Sequence, residues 1–319
     1  MPAPSADAPA PGGVATSLPG PTSAGGPDAP AGASASAAAP PPARGGTRTR
    51  RRLGPAFWLS VLWIAVVVGA AVFASVLPLK SPNDPLALPS QGPGWHHLLG
   101  TDDIGRDTLA RVVFGARVSI IVGFTSIAIG LVVGGSAGLI AGYYKGRLGA
   151  VIMGCVDVLL AFPVLVLALG IITFMGQSLR NVTLALGIIS IAPIARIIRA
   201  STLTFAEREF VVAARSLGAK NRRILLREIL PNVALPTLAF SLVAVAVAIV
   251  GEGALAFLGL SVRAPTASWG GMINEGRTQL QSHAQVSLIP AAVMFVTVLA
   301  FNFTGDALRR LFDVRESAL

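Results

Sequence analysis

Two acidic residues in this sequence lie inside long apolar runs, where a carboxylate could take part in chemistry. Asp157 falls within the run 150–175, and Glu252 falls within the run 234–260. A charged group inside a membrane is costly, so such acids are candidates for proton relays or substrate contacts. They can also form hydrogen bonds that hold helices together, because membrane helices need polar contacts too. The sequence favours this structural role and leaves the other open.

No other side chains form a recognisable reactive site. His96 and His97 are adjacent, but neighbouring residues project in different directions and a third ligand is lacking, so no metal site is predicted. Cys155 is the single cysteine, which excludes an internal disulfide and a cysteine-based zinc site. The sequence contains no Gly-x-x-x-x-Gly-Lys-Ser/Thr phosphate loop. We therefore expect no cofactor and no enzyme activity, and the chain is not expected to hydrolyse ATP alone.

The segment 202–232 is charged, although it lies between two apolar runs. Eight Lys or Arg residues occur between Arg196 and Arg227. Loops exported across a membrane carry few basic residues, so this segment is predicted to lie in the cytoplasm. It could dock on a partner protein or lie on anionic lipid. Nucleic acid is not an expected partner, because the basic residues flank apolar spans instead of forming one stripe with aromatic residues.

Two short helices are predicted within this charged segment. The first, from Glu209 to Leu217, has two consecutive alanines that would present a thin face to a groove in a partner. A glycine follows, which allows a left-handed exit from the helix. The second helix, from Asn221 to Leu230, is expected to end at a proline that enters the next span. The residues predicted to define this element are Glu209, Ala213, Ala214, Gly218 and Pro231.

The remainder of the chain has the composition of a polytopic helical membrane protein. Apolar residues make up 53% and charged residues only 13%, with a mean hydropathy of +0.70. A soluble domain carries about 25% charged residues. Long apolar blocks separated by polar connectors predict an all-α fold with six transmembrane helices. The spans are expected near 57–78, 118–143, 150–175, 182–199, 234–260 and 286–304.

The distribution of basic residues predicts the orientation of these spans. Residues 1–52 form a Pro- and Ala-rich tail that ends in arginines and is predicted to be disordered, whereas residues 53–319 form the membrane domain. With both termini in the cytoplasm, eighteen Lys and Arg residues fall inside and seven outside. This excess inside agrees with the positive-inside rule. The first span is longer than a signal-peptide core, so it is expected to remain uncleaved.

Small residues and prolines indicate how the spans pack. Four glycines of the second span recur at every fourth residue, so they share one helical face and permit close approach of another helix. That face could pack inside the chain or slide between subunits. Pro163 and Pro193 would bend the third and fourth spans unless neighbouring groups satisfy the freed carbonyls. The four glycines are Gly130, Gly134, Gly138 and Gly142.

Three segments, in this order along the chain, carry a family resemblance. They are 99–107 leading to 115–119, the charged segment with its alanine pair, glycine and Ile-Leu-Pro, and 251–260 continuing to 268–270. Together they resemble the permease subunits of the dipeptide, oligopeptide and nickel importers of the ATP-binding-cassette class. The resemblance extends from about Phe57 to Arg315. The family usually has Glu where this chain has Val212.

The resemblance implies a function and a set of partners. The chain would be one permease subunit in a bacterial plasma (inner) membrane, forming half of a pathway for peptides and coupling to ATPases through 202–232. Its partners would be a second, homologous permease, two cytoplasmic ATP-binding subunits, an extracytoplasmic solute-binding protein and membrane lipid. Nickel or another small solute is an alternative cargo. Two further alternatives are a proton-coupled carrier that uses Asp157 and Glu252, and a membrane scaffold for signalling.

Overall fold

The computed structural model describes residues 54–85 and 87–316, and it confirms the all-α prediction. These residues form helices without a β-strand, so the backbone amide and carbonyl groups of each span are paired within the span, as a lipid environment requires. The predicted disorder of residues 1–52 concerns a segment outside the described residues. The helices are α1 (Pro55–Phe73), α2 (Thr108–Ile129), α3 (Gly135–Tyr144), α4 (Gly146–Ala161), α5 (Val164–Met175), α6 (Leu179–Ala206), α7 (Glu209–Ser216), α8 (Asn221–Arg223), α9 (Leu230–Phe257), α10 (Trp269–Gly276) and α11 (Gln285–Glu316).

Five helices are long and apolar enough to cross a membrane, and a bent pair could supply a sixth crossing. The bent pair is α4 and α5, which meet at an angle of 88°. Phe162, at the bend, has an extended backbone, as expected for a residue that precedes a proline. The predicted third span, 150–175, is therefore broken at Pro163. Pro193, in contrast, lies inside the uninterrupted helix α6.

Two of the long helices contain a π-helical segment. One, Gly130–Gly134, joins α2 to α3, and the other, Ile224–Ile229, joins α8 to α9. The expectation that a helix ends at Pro231 was wrong, because the chain is helical from Asn221 to Phe257. A proline lacks the N–H that would bond to the carbonyl four residues earlier. The wider turn that directly precedes Pro231 changes this hydrogen-bond pattern and lets the helix continue.

The centre of the membrane domain is α6, which packs against α2, α3, α4, α5 and α9. The regularly spaced glycines of the second span face this helix. A Cβ atom on Gly134 would overlap the carbonyl oxygen of Ile191, and one on Gly138 would overlap that of Ala195. Every fourth residue is thus a point of backbone contact, and this face is occupied within the chain. The other two contacts are Gly130 with Ser190 and Gly142 with Thr202.

Helix α11 closes the opposite side of the domain, where it packs against α9, α10 and α1. The first helix is the least buried of the spans and is joined to α11 by a polar contact. The indole Nε1 of Trp63 donates to the hydroxyl of Thr297 at 3.0 Å. Hydrogen bonds between side chains are a usual means of joining helices in lipid.

Candidate functional site

The element that leaves the membrane domain between α6 and α9 is shorter than the sequence predicted. The predicted segment was 202–232, but α6 continues to Ala206 and α8 already begins at Asn221. The protruding part is therefore 207–220, which we call the coupling element. It contains the predicted short helix, α7, followed by Gly218 with a φ angle of +78°. A residue with a Cβ atom adopts this left-handed conformation only at a cost, so glycine terminates the helix here.

Helix α7 is held against the domain along one side only. Val211 is completely buried in the main hydrophobic core, and Ala214 is partly buried against the same core. Ala213 is exposed. Consecutive helical residues point about 100° apart, so the two alanines cannot share one face. The sequence analysis predicted one face formed by both alanines. In the structure the two alanines point in different directions, and Ala213 is the more exposed of them.

The outward surface of the coupling element combines apolar and basic side chains. Phe210, Val212 and Leu217 expose 40%, 52% and 88% of their surfaces. Exposed apolar groups rimmed by charged residues mark protein-protein or membrane interaction sites. The basic side chains around them are Arg208, Arg215 and Lys220, and the exposed carboxylate of Glu209 begins the helix.

Three polar contacts join the coupling element and Asn221, the residue that follows it, to the end of α3. The hydroxyl of Tyr143 donates to Oδ1 of Asn221 at 2.9 Å, and the guanidinium of Arg215 lies 5.9 Å from the Tyr143 ring centroid. Lys145 also pairs with Glu207 at 2.7 Å. The element is thus attached to the second span as well as to the fourth and fifth. The sequence analysis missed Tyr143, because no local pattern links it to a residue 78 positions away.

Glu252 forms the centre of a buried hydrogen-bonded junction. Its carboxylate accepts from the hydroxyls of Ser261 at 2.6 Å and Ser119 at 3.2 Å. The backbone N–H of Trp269 donates in turn to Ser119, at 3.3 Å. These contacts join α2, α9 and α10. They bring together three stretches that carried the family resemblance, namely 115–119, 251–260 and 268–270.

Asp157, the second intramembrane acid, lies in a different environment. Its Oδ1 accepts from Nη2 of Arg196 at 2.7 Å, which joins α4 to α6. Both side chains remain more than half exposed, at 55% and 56%. Among the described residues, no hydrogen bond joins Asp157 to Glu252. The structure therefore does not bring the two predicted acids into one relay.

At the N-terminal end of α2, away from the coupling element, a network of charged residues ties the segment before α2 to α10. Glu275 accepts from Arg106 at 2.8 Å and from Arg111 at 2.7 Å. Asp102 accepts from the backbone N–H of Arg106 at 2.8 Å and pairs with both arginine side chains. We call these four residues the outer cluster. The sequence motif contained two of them, Asp102 and Arg106, whereas Glu275 was missed because it lies more than 160 positions away.

Two features near the outer cluster bear on metal binding. The ring Nδ1 of His97 lies 2.9 Å from Asp107, whose other oxygen caps α2 by accepting from Ala110. His97 thus has a protein partner. The carboxylate oxygens of Asp102, Asp103 and Glu275 lie within 4.8 Å of one another, a spacing that could hold a cation. The two arginines of the outer cluster already supply positive charge to this group.

The chain has clear relatives among characterised proteins. It is 38% identical to the glutathione transport system permease protein GsiD of Pectobacterium atrosepticum, over 79% of this chain and 84% of that protein. It is also 38% identical to the dipeptide transport system permease protein DppC of Alkalihalophilus pseudofirmus, over 76% and 80%. Among solved structures, the inward-facing MetNI methionine ABC transporter matches with a TM-score of 0.54 and 18% identity. That match covers 64% of this chain and 97% of the other, and it shows the shared fold.

Residues 130–317 match the family described as binding-protein-dependent transport system inner membrane component. Its members are multi-pass inner-membrane permease subunits that are not themselves enzymes. They work with ATP-binding and substrate-binding components. Both the family match and the two relatives include the coupling element and the helices that hold it. The chain therefore belongs to the family of importer permeases of the ATP-binding-cassette class.

Proposed function

We propose that this chain forms half of the translocation pathway of an ATP-driven peptide importer. The substrate class is supported by two relatives at 38% identity whose names specify a dipeptide and glutathione, itself a small peptide. Nickel and proton-coupled transport have no comparable support. Asp157 and Glu252 each have partners inside the chain, which gives neither acid the character of an open proton relay.

The observation that carries the mechanism is the one-sided attachment of α7. Val211 and Ala214 anchor the helix, while its opposite side, with Glu209, Ala213 and Ser216, stays exposed. In our proposal this outward side enters a groove of an ATP-binding subunit. Movement of that subunit is then passed to the fourth and fifth spans along the chain, and to the second span through Tyr143.

We further propose the complete set of partners and the orientation. The assembly contains this chain, a second homologous permease, two cytoplasmic ATP-binding subunits and an extracytoplasmic solute-binding protein. Both termini lie in the cytoplasm, which places the coupling element beside the ATP-binding subunits. The excess of basic residues on that side supports this orientation.

The orientation is tested by cysteine labelling in a Cys155→Ser background. Ser268 is unsuitable as an outer probe, because it is buried and caps α10. The exposed positions Gln281 and Ser216 serve instead. An impermeant thiol reagent applied to whole cells should label a cysteine at 281 and leave one at 216 unlabelled. The reverse pattern would contradict the orientation.

The docking proposal is tested by adding bulk to the outward side of α7. Ala213→Trp should insert and fold normally, but the purified complex should lose its ATP-binding subunits and peptide uptake should fall in parallel. Ala213→Ser changes the same position with little change in volume and should keep both. Normal co-purification and uptake with Ala213→Trp would show that this side of α7 does not meet a partner.

A further inference from the structure

The pair formed by Asp157 and Arg196 lies well inside the apolar part of the domain. Asp157 is eleven residues beyond Gly146, where α4 begins, and Arg196 is ten residues before Ala206, where α6 ends. At 1.5 Å per residue, both are about 15 Å along their helices from the side that carries the coupling element. The hydrocarbon core of a bilayer is about 30 Å thick. Measured along the helices, the pair is thus near the middle of its spans, and Arg196, which the sequence analysis counted with the cytoplasmic basic residues, lies within the fourth span.

The exposure of this pair at that depth is unusual. Its side chains are joined by one hydrogen bond of 2.7 Å, yet each exposes more than half of its surface. Charged side chains at membrane depth face a protein interior or a water-filled cavity, and not lipid. A dry contact with a second subunit would remove water from both charges without adding partners, which is unfavourable for an ion pair. Water is the environment that fits both observations.

The bend between α4 and α5 forms a cavity. It has a volume of about 540 Å³, is almost entirely apolar, and is lined by residues that include Phe162, Val166 and Ile188. Phe162 follows Asp157 by five residues on the chain, and Ile188 precedes Arg196 on α6. The chain segments that carry the pair thus also contribute to an apolar hollow.

We propose that Asp157 and Arg196 line the aqueous translocation pathway and meet the charged termini of a peptide in transit. A peptide carries an ammonium group and a carboxylate, and the pair offers one partner for each. The peptide ammonium group can pair with Asp157 while the peptide carboxylate pairs with Arg196, so that no charged group is left without a partner. The substrate contact rests on the proposed peptide function, whereas the placement of the pair in water does not depend on it.

The placement is tested with single cysteines in the assembled transporter, in membrane vesicles and a Cys155→Ser background. Asp157→Cys and Arg196→Cys should react with an impermeant maleimide. The matched control is the native Cys155, which is exposed on α4 at almost the same depth but about 200° around the helix. It should react about tenfold more slowly, because the reactive thiolate does not form in lipid. Equal reactivity at all three positions, or none at 157 and 196, would overturn the placement.

Two further measurements keep the proposal falsifiable. If a charge variant fails to assemble, cysteines at Leu160 and Ala200, about one turn away on the same helices, replace it and leave the ion pair intact. The peptide contact is tested by protection: alanyl-alanine or glutathione that the vesicles take up should slow the labelling several-fold. Labelling unchanged by a transported peptide would refute the contact alone. Absence of uptake of either peptide by the unmodified transporter would count against the proposed function, while the labelling result would still decide the placement.

Discussion

The two charged regions at opposite ends of the domain are built in opposite ways. In the outer cluster, Arg111 exposes only 1% of its side chain and its partners are all supplied by the same chain. In the coupling element, Leu217 exposes 88% of its surface and basic side chains stand around it in solvent. The outer charges hold the chain together. The surface of the coupling element is accessible, and it is where we propose that an ATP-binding subunit docks.

The difference follows from the cost of burying charge. A buried arginine needs a complete set of partners, because removal from water is expensive and only close, well-oriented carboxylates offset it. Asp102 and Glu275 lie 3.4 and 2.7 Å from the Arg111 guanidinium, and the result is a rigid junction between the segment before α2 and α10. The coupling element is instead anchored mainly by apolar contacts of Val211 and Ala214, so most of its polar groups stay hydrated.

Removal of a buried charge from the outer cluster should have the largest effect. Arg111→Ala leaves Glu275 and Asp102 with one arginine, Arg106, instead of two. The loss of one partner from a buried pair costs about 3–5 kcal/mol. We expect a low yield of folded protein and a large fall in apparent melting temperature in detergent.

Asp103→Asn is the matched control for this variant. Asp103 belongs to the same segment, but it is one-third exposed and lies 3.8 Å from Arg106. It should shift the melting temperature only slightly. Similar melting temperatures for Arg111→Ala and the unmodified protein would show that the outer cluster is not the rigid junction described above.

Strain in the coupling element should have a smaller effect on stability and a large one on transport. Gly218→Val places a branched side chain at a φ angle of +78°, at a cost of about 1–2 kcal/mol. No atom lies within 4 Å of the added Cβ, so the cost is conformational and not steric. We expect normal membrane insertion with reduced uptake and reduced co-purification of ATP-binding subunits.

Gly218→Asn provides the control at the same position, since asparagine tolerates the left-handed conformation far better than valine. It should retain most of the uptake. If both variants transport equally well, the backbone geometry after α7 does not affect docking. The difference between the rigid outer side and the accessible inner side would then have no role in transport.

The features that could be predicted from the sequence are those set by local chemistry. Gly218 and Pro163 determine backbone geometry wherever they occur, so the left-handed exit and the break between α4 and α5 followed from residue type. Contacts between distant elements could not be predicted in this way. Glu275 reaches Arg111 across 164 positions, and nothing in its local sequence marks it as a partner.

The sequence also could not predict which side of a helix faces the interior of the domain. Ala213 and Ala214 are chemically identical neighbours, and only the packing of Val211 determines which of them is turned inward. Likewise, the continuation of the helix through Pro231 depends on a π-helical turn that no sequence pattern predicted. The resemblance drew attention to this element, but it could not assign an inner and an outer side to it.

The link between the coupling element and the second span should be of intermediate importance. Tyr143→Phe removes the hydrogen bond to Asn221, which is worth about 0.5–1.5 kcal/mol. The ring stays in place beneath Arg215, so the fold should be kept. We expect nearly unchanged assembly but a lower ratio of peptide taken up to ATP hydrolysed. Tyr144→Phe, at the exposed neighbouring position, should leave this ratio unchanged, and equal ratios in both variants would exclude Tyr143 as a link.

The ion pair between Lys145 and Glu207 should have the smallest effect, and one that depends on pH. The hydrogen bond from Lys145 lowers the pKa of Glu207 below its ordinary value. A lowered carboxyl pKa stabilises the folded state at pH values above the ordinary pKa, and this stabilisation is lost as the pH falls through the lowered one. Both side chains are largely in solvent, with 49% and 72% of their surfaces exposed, so salt should screen the interaction.

The comparison of Lys145→Gln with the unmodified protein tests this contrast directly. In low salt the variant should melt slightly earlier at neutral pH, and the difference should vanish once Glu207 is protonated in acid or once salt is added. The same series on Arg111→Ala should show a large difference that salt does not remove, because its partners are buried. A difference at Lys145 that persists in acid or in high salt would mean that this pair, too, is a structural junction. The charged residues of the inner side would then stabilise the fold as those of the outer side do.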